Sequence, residues 1–143
     1  MARTLKQLAN DLNNRADSLE TDVNELAIDT AMVIITHLAL TTPTDTTEAV
    51  SNWQVSLNTP VPTSGRIRPH VLGGEERSRE ITITEAASVL NRKKPGENIY
   101  ISNVRQDYNY IIKLNEGSSD QHPGGFVEQA IMLGREHVKE ASI

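Results

Sequence analysis

Four histidines, His37, His70, His122 and His137, are the residues best suited to move a proton or hold a metal ion near neutral pH. A metal site gathers several His, Asp, Glu or Cys donors at short spacings. Only Glu136 and His137 stand together, and neighbours on a helix point in different directions. His37 falls on the apolar stripe of a predicted helix and reads as a core or interface histidine. His70 and His122 lie beside proline in predicted loops and read as solvated. A serine nucleophile wants a strained Gly-x-Ser-x-Gly elbow, which the sequence lacks. Gly117-Ser118-Ser119 is the nearest approach, and its physical job is met as a helix stop. Gly73-Gly74 and Gly124-Gly125 lack the spacing and the lysine of a phosphate-binding loop. The acids are scattered along predicted helix surfaces. No constellation assembles, so the expectation is a protein that is not an enzyme and takes no cofactor or metal.

Composition narrows the class further. A chain of 143 residues is expected to form one domain over residues 1–143. Only 3% of it is aromatic, with a single Trp and a single Phe to anchor a core. That is thin for a deep pocket and suits a subunit that completes its burial in an assembly. Having no cysteine, the chain has no disulfide, no thiol chemistry and no Cys-based zinc site, which fits a reducing cytoplasm. Its net charge of -5 argues against a phosphate-gripping surface. The one dense basic cluster, Arg92-Lys93-Lys94, ends a predicted helix, where cations are favoured. The longest apolar run, Ala31-Met32-Val33-Ile34-Ile35, falls far short of the roughly 20 residues that span a bilayer. The reading is a soluble protein without a membrane partner.

The elements that would position these residues are organised by the first forty. Thr4 and Gln7 have the spacing of a capping box. Apolar or small residues then recur every three or four positions from Leu5 through Leu12, Leu19, Leu26 and Val33 to His37, one stripe on one helical face. Pro43 should stop the helix near Leu40 or Thr41. Such a helix of 36 residues is a rod of roughly 54 Å. A compact chain of this size is nearer 40 Å across. The rod must bend, break or protrude, and Asn13-Asn14 is its weakest point. Residues 26–40 are apolar on nearly every face and read as a core helix. Residues 1–25 read as a projecting arm or hinge, whose stripe another copy of the protein would cover most economically.

Downstream, Asp45 and Glu48 are placed to cap a short helix reaching about Asn52. Trp53, Val55 and Leu57 alternate with polar residues as a half-buried strand. Residues 59–80, rich in Pro and Gly, read as a long loop. A short helix is predicted over 81–91 with Thr82 or Thr84 as cap, then a second strand at Ile99-Tyr100-Ile101. Asp107 can cap a helix through Leu114 that stops at Gly117. Residues 117–125 form a polar loop, and Phe126 begins a final amphipathic helix to about Glu140. The predicted class is α+β, with a long N-terminal helix and C-terminal helices packed on a small, mainly antiparallel sheet.

Three segments in order resemble a known family. Thr42-Pro43-Thr44-Asp45-Thr46 with Ser51-Asn52-Trp53 resembles the TPVDTG…SNW signature of the HK97 gp10-like family of tailed-phage neck and tail-completion (head–tail joining) proteins. Ile99 through Asn103, then Tyr110 with Asn115-Glu116-Gly117-Ser118, resembles its strand, its PYI..LNEG helix and the loop that follows. Pro123-Gly124-Gly125-Phe126-Val127 resembles its PAGFV entry to the last helix. The likeness spans about residues 42–132. It departs where the family has Gly in place of Thr47 and a proline before the tyrosine, absent from residues 104–109.

The resemblance implies a small α+β virion subunit, assembled in the host cytoplasm and working as a homo-oligomeric ring, commonly a hexamer. Such a ring joins the tail to the connector and lines the channel, through which DNA passes without sequence-specific binding. Its partners are itself and the neighbouring connector and tail proteins. On this reading Pro43, Asp45, Glu48, Trp53, Asn103, Tyr110, Glu116, Gly117, Gly125 and Phe126 form a structural motif. Asp45 and Glu48 cap the second helix, Trp53 anchors it to the sheet, Gly117 and Gly125 set the last loop, and Phe126 plugs the last helix into the core. The arm and residues 59–80 are the expected contact surfaces. Three alternatives stand beside it: a tail terminator capping the tail tube, a coiled-coil adaptor acting through the N-terminal helix, and a hydrolase using His122 or His137.

Overall fold

The computed structural model describes residues 4–42, 48–61, 74–103, 115 and 125–141. The chain opens on the helix that its periodicity predicts. Thr4 accepts from the Gln7 N–H at 3.1 Å and its own N–H donates to the Gln7 side chain at 3.0 Å, closing the capping box. Helix α1 then runs unbroken from Leu5 to Thr41, 37 residues, straight through Asn13 and Asn14. The chain leaves it at Thr42 in an extended conformation, as the residue before a proline must. Helix α2 is the single turn Glu48–Ser51 and leads at once into strand β1, Trp53–Leu57.

Strand β1 pairs antiparallel with β2, Ile99–Asn103. The register sets Trp53 opposite Asn103, Val55 opposite Ile101 and Leu57 opposite Ile99, so the apolar residues of both strands share one face. Between them lies helix α3, Gly74–Leu90, which packs on β1 and on α1. The last helix, α4, spans Phe126–Glu140 and lies chiefly along α1. The architecture is α+β: a small two-stranded antiparallel sheet carried on a dominant N-terminal helix.

Helix α3 corrects the sequence reading. Residues 74–80, expected within the long loop, are helical, and Thr82 is an interior residue rather than a cap. The face that α3 buries is Ser78, Thr82, Ala86 and Leu90, spaced four apart but mostly small or polar. Burying hydroxyls requires partners. Ser78 donates to the Gly74 carbonyl at 3.1 Å and Thr82 to the Val50 carbonyl at 3.0 Å. Of the expected loop, residues 62–73 lie outside the described residues, as does the helix predicted from Asp107 to Leu114.

The core joins all four layers of the chain. Ile35 and Leu38 of α1, Trp53 and Val55 of β1, Leu90 of α3 and Phe126 of α4 belong to one buried cluster. Phe126, Ile35 and Leu90 have no exposed surface at all. Helix α4 comes close to α1 because Gly134 has no side chain. A Cβ there would sit 2.7 Å from Ile34 Cδ1 and 2.8 Å from Cγ1, inside van der Waals contact. The polar exception in the core is a relay at the end of α1. Thr42 Oγ1 donates to the Leu38 carbonyl and accepts from Trp53 Nε1 at 2.8 Å, with Thr42 wholly buried. Substituting Thr42→Val keeps the shape and strands the indole N–H without its acceptor. The expected loss is about 1–3 kcal/mol, the cost of an unsatisfied buried donor. It would be read as a lower urea midpoint at unchanged m-value.

Candidate interaction surface

The residues singled out by motif converge on structure rather than on a cleft. Trp53 and Asn103 face each other across the sheet. Asn103 Nδ2 donates to the Ala49 carbonyl at 2.8 Å, tying β2 to α2, while Trp53 ties β1 to the end of α1. Phe126 completes the same core. Gly125 stands at the start of α4 with φ of 83°, a left-handed backbone that favours glycine. A Cβ on it would meet Glu128 Oε2 at 2.6 Å. Helix α2 begins at Glu48. Pro43, Asp45, Tyr110, Glu116 and Gly117 lie outside the described residues, as do His70 and His122.

Two positioning residues escaped the sequence reading. Asn115 caps α4 from a distance: its Oδ1 accepts from the Val127 N–H at 2.8 Å and its Nδ2 donates to Glu128 Oε1 at 2.8 Å. A cap eleven residues before the first helical N–H has no local spacing signal; only the family-like Asn115-Glu116-Gly117 motif marks it. Arg79 of α3 donates from Nε to the Ala39 carbonyl at 3.0 Å, supplying the cation that the last turn of α1 lacks.

Exposed apolar side chains lie chiefly on the arm and on α4. Leu5 is 86% exposed, Leu12 57%, Leu19 53% and Val23 50%. The same helix from residue 31 onward is largely covered: Ala31, Ile35, Leu38 and Ala39 are buried. The stripe over residues 5–23 is therefore open. Fully covering the stripe's five large residues, Leu8 included, would stabilise an assembly by on the order of 5–10 kcal/mol. That is comparable with the roughly 4–15 kcal/mol lost in association. The arm alone is a marginal interface and needs a second apolar surface to receive it.

The root of the arm is fastened to the domain. Lys93 Nζ donates to Asn24 Oδ1 at 2.5 Å and to the Lys94 carbonyl at 3.1 Å. A shallow groove runs beside that contact, lined by Ala16, Leu19, Val23 and the turn Gly96 to Asn98. Further along the same stripe of α1, Thr30 Oγ1 and His37 Nε2 are buried without a hydrogen-bond partner among the described residues. The half-buried His37 lies beside Met32, Val33 and exposed Leu40, in the core-edge position expected of it. Among the described residues no three His, Asp or Glu gather as a metal site would require. An 18-residue window of α1 has a mean hydropathy of 1.4 and is long and apolar enough to cross a membrane by composition. A buried core helix and a signal sequence pass the same test, and 22% of this window is buried.

No protein-family model, no curated protein and no solved structure matches this chain. The likeness to the tailed-phage neck family rests on the three motifs quoted above.

The turn at the arm's root carries a pH-sensitive clasp. Glu97 accepts from the Lys94 N–H at 2.6 Å and from Asn58 Nδ2 at 2.7 Å. The Lys94 amide first, and the Asn58 amide second, hold its carboxyl below the ordinary glutamate value. A lowered pKa in the folded state means that the clasp contributes above the ordinary value and is lost as pH falls through the lowered one. Titrating the Glu97 carboxyl carbon by NMR should give a midpoint below that of the exposed glutamates. In Asn58→Gly, which keeps the left-handed backbone at φ 68°, the midpoint should rise part of the way back. An unchanged midpoint in that variant would remove Asn58 from the clasp.

Proposed function

We propose that this chain is a structural virion protein of a tailed bacteriophage, forming a homo-oligomeric ring at the head–tail junction. The ring joins the tail to the connector and lines the channel through which DNA leaves. The observation that carries the reading is the arm: a rigid helix that continues out of the domain with its apolar stripe uncovered. A subunit built that way leaves its burial to be completed by neighbours. The three motifs suggest the family, and Trp53 and Phe126 in one core, with Asn103 tying β2 to α2, give them a common role in holding the subunit's shape.

The acidic balance suits a channel in which DNA slides rather than binds. A tail terminator shares these features and differs in its place in the virion. The exposed arm also favours a second reading, an adaptor that binds a partner helix through residues 5–25, in which residues 1–41 alone would be helical and self-associating and the rest dispensable.

Light scattering across a concentration series separates the readings. The ring predicts a mass near six subunits, or a concentration-dependent rise above the monomer. Immunogold labelling of particles should then place the protein at the neck. Label confined to the distal tail, or absent from purified particles, would contradict the head–tail assignment.

A further inference from the structure

The stripe on the arm and a groove on the domain are two open apolar surfaces of the same chain. The groove runs between α1 and α4, with Thr30, Ile34, Ile131 and Val138 as its floor and Arg135 and Lys139 at its rim. Ile131 is 42% and Val138 48% exposed, although both belong to a helix packed on the core helix. The arm cannot fill this groove in its own molecule. Thr30 and Ile34 lie on the same unbroken helix as the arm, and Leu12 is 18 residues away from Thr30, about 27 Å along a rigid axis.

We propose that the groove between α1 and α4 is the docking site for the arm of a second copy of this chain. Charge selects that occupant. Glu20 and Asp22 are exposed and flank the stripe on its two sides, with Arg15 beside Asp22's side of it and Asp17 and Glu25 further round the arm. An arm laid in the groove brings these acids to the cationic rim of Arg135 and Lys139. Residues 5–25 carry Asp11, Asp17, Glu20, Asp22 and Glu25 against Lys6 and Arg15, so two arms laid together would join surfaces of like net charge. Apolar floor meets apolar stripe, and a positive rim meets a negative flank.

Stripe and groove are different patches, so the contact is head-to-tail, the kind that repeats from copy to copy and closes into a ring when the rotation allows. The inference rests on the self-association in the proposed function and is independent of the virion. It names the surfaces through which the copies meet.

The chain has no cysteine, so single-cysteine variants report the contact without background. Leu12→Cys, Leu19→Cys and Val138→Cys alter exposed side chains and leave the core intact. A bismaleimide spanning about 11 Å bridges any register, because Leu12 and Leu19 are themselves about 10 Å apart on the arm. Mixing either arm variant with Val138→Cys should give a mixed cross-linked dimer, while an arm variant alone should give little. Arg135→Glu with Lys139→Glu should weaken self-association about tenfold or more, and adding Glu20→Lys with Asp22→Lys in the same chain should recover it. A dominant arm-to-arm product would overturn the proposal, and so would self-association that persists with no mixed product, though either outcome leaves an assembly standing. A protein that stays monomeric throughout the series overturns the docking site together with the preformed ring. Absence from the virion despite the mixed cross-link removes the phage reading alone.

Discussion

A helix of 37 residues is about 56 Å long, and its apolar stripe has to be covered along that whole length or left in water. Among the described residues, the rest of the chain covers chiefly the C-terminal half. There α4 closes against α1 through Gly134 and Ile34, α3 lies against the other side, and the two strands fill the end beneath Trp53. Helices α3 and α4 and both strands contact α1, and α2 is held through α3. The arm is the remainder of the same rod, held by its continuity with a buried helix and, at its root, by the Lys93–Asn24 contact. Helix propagation from an existing nucleus is favourable, so the arm does not need a core to stay helical.

Much of this was readable in the amino-acid order because local chemistry and global fold agree there. The capping box at Thr4 and Gln7, the three-and-four spacing of the stripe, and the alternation of Trp53, Val55 and Leu57 are short-range signals that nothing in the fold contradicts. The bounds of α4 follow from Phe126 at its start and the amphipathic run behind it. The division of α1 into a covered half and an open half was also legible, because the second half is apolar on nearly every face and the first carries only a stripe.

The start of α3 was not legible, for a specific reason. Gly73 and Gly74 read as loop, and the next residues, Glu75-Glu76-Arg77-Ser78, show no apolar period. The buried face uses Ser78 and Thr82, whose hydroxyls are satisfied by the Gly74 and Val50 carbonyls, so the helix packs closely without a hydrophobic pattern. The weak point at Asn13 and Asn14 rested on propensity alone, a small effect beside the cooperativity of a long helix, and α1 runs through it unbroken. The cap that Asn115 places on α4 acts across 12 residues, and no local spacing encodes it. In the candidate surface, the stripe was visible and its receiving groove was not. Ile34, Ile131 and Val138 become one surface only once α4 has docked on α1.

The account stands on one claim: the arm is uncovered in the single subunit and becomes covered by another copy. Hydrogen exchange by mass spectrometry, run on the full chain at low and at high protein concentration, tests it directly. Amides of residues 8–23 should exchange rapidly when dilute and become protected when concentrated, with residues 31–39 protected at both. Equal exchange of residues 8–23 at the two concentrations, whether fast or slow, would contradict it.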